Sequence, residues 1–171
     1  MPTLKEIKGR ISSVKNTLKI TSAMKLVSSA KLRKAQKAIE AMRPYEAQLQ
    51  RMLSQISIRK GDVPENTFAS LPTAIVAVAS NSSLCGGFNA NVIAQVRRVR
   101  KKGDVVYSVG RKMADAMRKD GFPSPEDYSA LADHPEYGPA SALADRLARD
   151  LEDCRIGKVV LVYTHFISTA R

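Results

Sequence analysis

The stretch from Thr3 to Lys60 constrains this chain most, because it reads as one long basic helix. Thr3-Leu4-Lys5-Glu6 has the form of a capping box, with Thr3 holding an amide at the helix start and Glu6 reaching back. Apolar residues recur at Leu4, Ile7, Ile11, Val14 and Leu18 in alternating steps of three and four. After a break the rhythm returns at Ala35, Ala38, Met42, Tyr45, Leu49, Met52 and Ile56. This seam has the period of a coiled coil, and the offset between its halves is that of a stutter. About fifty-five residues rising 1.5 Å each would span roughly 80 Å, far more than the diameter of a small domain. The rest of the chain cannot bury such a helix, so the seam calls for a partner.

Charge sharpens this expectation. Residues 1–60 carry 14 Lys and Arg against three acids (Glu6, Glu40, Glu46), a net of 14 − 3 = +11. The remainder of the 28 basic and 16 acidic groups is 14 against 13, a net of +1, so nearly all of the chain's +12 lies on one element. So dense a field points to an acidic partner: nucleic acid, an anionic membrane or an acidic protein surface. A merely solvated helix would carry acids four residues from its bases, and here these are mostly missing.

The 171 residues suffice for one ordinary domain, or for a smaller one with an extension. No apolar run approaches the roughly twenty residues of a membrane span, and no signal-peptide pattern is present. The basic, serine-bearing N-terminus could pass for a transit peptide, but Glu6 and the continuing seam mark it as structure. Two cysteines, Cys85 and Cys154, make no disulfide framework, which suits a reducing cytoplasm.

Three segments are expected: the helix over 1–60, a proline-marked linker over 61–72, and an α/β domain over 73–171. Within the helix Pro44 predicts a kink near Ala41–Pro44. Gly61 is the expected stop, with Arg59 and Lys60 complementing the end of the dipole. Thr73–Ala79 is apolar and β-branched without alternation, the mark of a strand buried on both faces. Ser80–Phe88 reads as loop, Asn89 as the cap of a helix ending at Gly103, and Asp104–Val109 as a second strand. Gly110 introduces a helix over Lys112–Lys119. Residues 122–138, with three prolines, read as loop. Leu143, Leu147 and Leu151 form one face of a further helix, whose pairs Asp145–Arg149 and Arg146–Asp150 read as surface decoration. Lys158–Thr164 is a third buried strand. This alternation predicts a small parallel α/β sheet with Rossmann-like order. The chain stops at Arg171 just after a strand, which reads as a truncation.

Nothing in the sequence points to catalysis. The Ser80–Asn89 loop sits where open α/β sheets hold phosphates, but it has neither the dinucleotide G-x-G-x-x-G spacing nor a Walker lysine. Cys85 has no base and orienter in a recognisable pattern, and His134 and His165 lack metal-ligand spacing with either cysteine. No cofactor and no metal are expected. A basic coiled coil that binds nucleic acid is the alternative reading. It fits less well, because basic-zipper proteins separate the basic block from the seam and here the two are interleaved.

Residues 11–35 (ISSVKNTLKITSAMKLVSSAKLRKA) resemble the N-terminal helix of the γ subunits of F-type ATP synthases. Arg43-Pro-Tyr45, Leu84-Cys-Gly-Gly-Phe-Asn89, Gly110-Arg-Lys112 and Val162-Tyr-Thr-His-Phe-Ile167 resemble the same family in order and context, so the resemblance covers the whole chain. It implies a non-catalytic rotor shaft that couples proton flow (in some organisms sodium-ion flow) through a membrane ring to ATP synthesis on β subunits. The implied partners are the α and β subunits of the catalytic head, the ε subunit and the membrane rotor ring. The implied location is peripheral, on the cytoplasmic face of the bacterial inner membrane. By the same resemblance a basic stripe of Lys25, Lys31, Arg33 and Lys34, with Met24, faces β, and the loop Leu84, Cys85, Gly86 and Gly87 lies near the same acidic lever. Two departures stand out. Asn81-Ser82-Ser83 replaces the family's common Asp-Arg-Gly, and Lys25 stands where some members carry an acid. The family's C-terminal helix is missing, so the chain is expected to be a fragment whose exposed seam could self-associate.

Overall fold

The computed structural model describes residues 3–56, 68 and 70–167. The chain divides into two compact units, Met1–Lys60 and Gly61–Arg171.

The first unit is a single helix, α1 (Leu4–Ile56). Its capping box forms as the sequence dictates: the Thr3 N–H donates to Glu6 Oε2 at 2.8 Å, and the Glu6 N–H to Thr3 Oγ1 at 3.4 Å. The helix continues through Pro44. The proline removes one intrahelical donor, and the turns on either side retain theirs, so the element bends its rules without ending. The expected continuation to Lys60, its Gly61 stop with Arg59 and Lys60, and residues 61–67 of the linker lie outside the described residues. Along α1 the seam is open to solvent: Leu4, Ile7, Ile11, Val14, Leu18, Met42, Tyr45, Leu49 and Met52 are all exposed.

The second unit is a three-stranded parallel sheet with helices on both faces. Its elements are β1 (Thr73–Val78), α2 (Phe88–Val99), β2 (Val105–Val109), α3 (Arg111–Lys119), α4 (Ser129–Asp133), α5 (Tyr137–Glu152) and β3 (Lys158–Val162). The strand order is β2-β1-β3, with Ile75 opposite Val106 on one side and Val160 on the other. Because side chains alternate along a strand, β1 feeds two cores. Ile75 and Ala77 join Val106, Val162, the α2 residues Val92 and Val96, and the α3 residues Met113 and Met117. Ala74 and Val76 join Tyr107, Val109, Tyr128, the α5 residues Leu143 and Leu147, and Ile156. Each fully buried Ile, Val or Met in these layers contributes about 1.5–3 kcal/mol.

Four local expectations are corrected. Asn89 does not cap α2: Gly87 holds that position, and the Asn89 side chain turns inward and is buried. Residues 122–138 are not all loop, since they contain α4 and the start of α5. Pro139 sits in the first turn of α5, where a missing N–H costs nothing. The strand β3 is not buried on both faces. Val160 and Val162 pack inward, whereas Val159 and Leu161, aligned with Ala74 and Val76, remain exposed. The α5 pairs also differ from those expected. Arg146 pairs with Glu126, and Asp150 holds Arg155 at 2.7 Å while accepting from the Tyr107 hydroxyl at 3.3 Å. Arg149 donates to the backbone carbonyl of Asp145 instead of its carboxylate.

Candidate partner-binding surfaces

The loop after β1 leaves the sheet at the C-terminal end of its central strand. With order β2-β1-β3 the chain reverses direction about β1, so this is where open α/β sheets accept ligands. Here the loop is filled by its own side chains. Asn89 Oδ1 accepts the Ser80 N–H at 3.0 Å, while Asn89 Nδ2 donates to the Ser82 carbonyl at 2.8 Å and lies 3.1 Å from Cys85 Sγ. The Ser80 hydroxyl also donates to the Ser82 carbonyl at 2.8 Å. The side chains of Ser80 and Asn89 are thus occupied from within.

Outward the loop offers Leu84 at its tip, beside the exposed Ser82 and Ser83. Leu84 is 88% exposed at the tip, Cys85 is half-buried behind it, and Gly86 takes φ = +56°, a left-handed turn that glycine adopts without strain. Gly87 follows and starts α2. An exposed leucine held on a tightly bonded loop suits contact with another protein surface.

Asn81 fixes the base of this loop. Its Oδ1 accepts the Arg111 N–H at 2.8 Å, capping α3. Its Nδ2 donates to the Ser129 carbonyl at 2.9 Å and to Asp133 Oδ2 at 2.7 Å. One amide therefore ties β1 to α3 and α4, since it supplies two donors and an acceptor together. This signal was absent from the sequence, where Asn81 stands out only as a departure from a charged triplet. Asn81→Asp keeps the cap but places two carboxylates together. The expected result is a loss of about 1–3 kcal/mol in urea unfolding, largely recovered by adding Asp133→Asn. Equal stability of Asn81→Asp and the parent chain would show that the pair carries nothing.

On α1, Met24, Lys25, Lys31, Arg33 and Lys34 are all exposed, but the helix does not bring them into one stripe. At about 100° per residue, Lys31 lies about 20° from Met24, Lys25 about 100° to one side, Lys34 about 80° to the other, and Arg33 opposite. The basic residues make a collar. Apolar residues share that collar in several directions: Ile20, Leu26, Val27 and Leu32 are 63%, 73%, 59% and 44% exposed. A helix with apolar side chains on all sides is built to be enclosed, not to lie on a flat surface.

Comparison with known proteins settles the family. The family model described as ATP synthase matches residues 3–171. The chain belongs to the ATP synthase gamma-chain family. It is 46% identical over 180 residues to the ATP synthase gamma chain of Phocaeicola vulgatus, covering 99% of this chain and 62% of that one. It is 45% identical to the gamma chain of Bacteroides fragilis and 44% to that of Bacteroides thetaiotaomicron, covering 98% of this chain and 61% and 60% of theirs. The chain thus spans about three-fifths of the length of these gamma chains. Nothing in the match supports the nucleic-acid alternative. Among the described residues no helix is long and apolar enough to cross a membrane.

Proposed function

We propose that this gamma-chain segment works as the upper shaft and foot of a rotor that couples ion flow to ATP synthesis without catalysing the reaction itself. The observation that carries this reading is the collar of α1. Apolar and basic side chains surround the helix over residues 20–34, as an axle turning inside a ring of acidic-edged subunits requires. Under this reading the partners are the α and β subunits around α1, with the ε subunit and a membrane ring at the α/β unit. The chain is then peripheral to the cytoplasmic face of the inner membrane. The Leu84–Gly87 loop supplies a second contact toward β. The internally bonded Ser80–Asn89 loop supports a mechanical role over a nucleotide-binding one. Calorimetry of the purified chain with ATP is therefore expected to show no stoichiometric binding tighter than about millimolar. Submillimolar binding would favour an enzyme reading.

A rotor must release at every angle, so its grip should be divided among weak contacts. Exposed ion pairs contribute about 0–1 kcal/mol each and are screened by salt. In a complete gamma chain, changing any one of Lys25, Lys31, Arg33 or Lys34 to Ala is expected to leave coupling nearly intact. Met24→Lys should do more harm, because it replaces an adaptable apolar bearing with a charge that holds an acidic partner at one angle. The readout is ions pumped per ATP hydrolysed in vesicles carrying the whole complex. Uncoupling by a single Lys→Ala with a tolerated Met24→Lys would refute the distributed grip.

A further inference from the structure

The α/β unit carries a second basic feature that the rotor reading leaves unused. Residues 97–102 read Arg-Arg-Val-Arg-Lys-Lys and run off the end of α2. Two of these cations are spoken for. Arg97 meets Asp120 at 2.7 Å, and Arg100 reaches the same carboxylate at 3.6 Å while stacking 4.0 Å over the Phe122 ring. The Arg97 guanidinium accordingly holds the Asp120 carboxyl below its ordinary range. Lys101 and Lys102 are exposed and make no ion pair among the described residues, and the same holds for Lys158 at the start of β3.

These three lysines border one groove of about 890 Å³ at the N-terminal end of the parallel strands. Its apolar walls include Leu71, Ile75, Val99 and Val160, and among the described residues its one acid is Asp104. That acid serves the backbone: Oδ1 accepts the Thr73 N–H at 2.9 Å and Oδ2 the Lys101 N–H at 2.7 Å. Among the described residues, then, no acid compensates the lysines around this apolar trough. A bilayer surface is flat and would meet the lysines without filling the trough. A chain with carboxylates for the rim and an apolar side chain for the floor satisfies both.

We infer that this groove docks an acidic protein segment bearing apolar anchors, through Lys101, Lys102 and Lys158 at its rim and Val99 and Val160 within it. The inference does not depend on the rotor reading, since it uses the α/β unit alone. The long helix will also attract acids, so the test must localise binding. The full chain, methyl-labelled, is titrated with a short Asp/Glu-rich peptide carrying two leucines at about 0.15 M salt, where distant charges are screened. The methyl signals of Leu71, Val99 and Val160 are expected to shift. The Leu→Ser form of the peptide should bind more weakly, and K101E/K102E/K158E should weaken the groove response at least about tenfold. K102E alone, with its spectrum otherwise unchanged, should produce a smaller loss and guards against misfolding of the triple variant. The inference is overturned if those methyls stay still at saturation while Leu18 on α1 shifts. It also fails if the charge variants bind equally well, or if vesicles of anionic phospholipid shift the groove more than the peptide does.

Discussion

Gly110→Ala is expected to cost the α/β unit on the order of 4 kcal/mol, at the upper end of single-substitution effects. Gly110 follows β2 with φ = +99°, and a Cβ there would sit 2.2 Å from the Ala79 carbonyl oxygen and 2.8 Å from its carbon. Those atoms belong to the backbone at the end of β1, where the Ala79 N–H donates to the Val109 carbonyl at 2.9 Å and the Ser80 carbonyl accepts from Lys112 at 3.3 Å. The methyl cannot be relieved by a rotamer change. The ends of β1 and β2 must separate, which opens both cores at once. Gly103 separates the two causes, because it has φ = +97° but no atom within 4 Å of its added Cβ. Gly103→Ala should show the conformational cost alone, about 1–2 kcal/mol. Tyrosine near-ultraviolet dichroism during urea unfolding reports on the unit, since Tyr107 and Tyr128 lie in its core with rings 6.2 Å apart and the chain has no tryptophan. Similar losses for the two variants would show that the close approach to Ala79 is not what requires glycine.

Why some elements were legible and others not follows from the range of the forces that set them. The capping box and the β-branched run of β1 are decided by neighbours in sequence, and both stand in the structure where the residues put them. Asn89 was misread because asparagine suits a cap and a buried loop anchor equally well. Only the positions of Ser80, Ser82 and Cys85 select the second use. Residues 122–138 read as loop because three prolines and little periodicity hide the short α4, whose five residues are too few to show a helical period. The run Lys158–Val162 is apolar whether one face or two is covered, so the exposure of Val159 and Leu161 was not readable from it. The collar replaces a stripe because sequence proximity hides the turn of about 100° between successive residues.

The open seam of α1 leads to the other large expected effect: the isolated chain should self-associate through it, and its helicity should rise with protein concentration. Ile7, Ile11, Val14 and Leu18 recur on one side of the helix and are 44%, 50%, 67% and 65% exposed. Burying each such side chain against a partner copy would contribute up to about 1.5–3 kcal/mol. Opposing this is the net +11 of residues 1–60, which two parallel copies would bring together. The apolar term changes little with modest salt, while the repulsion weakens as the Debye length falls from about 10 Å at 0.1 M to about 3 Å at 1 M. Association should therefore tighten with added sodium chloride, the reverse of what binding to an acidic partner would show. Ile11→Asp with Leu18→Asp should raise the dissociation constant at least about a hundredfold and lower helicity together, because a helix of this kind draws most of its stability from packing. Sedimentation velocity and far-ultraviolet dichroism over a common dilution series supply both readouts. A chain that stays monomeric with constant helicity at every concentration and salt would mean that α1 holds itself without a partner.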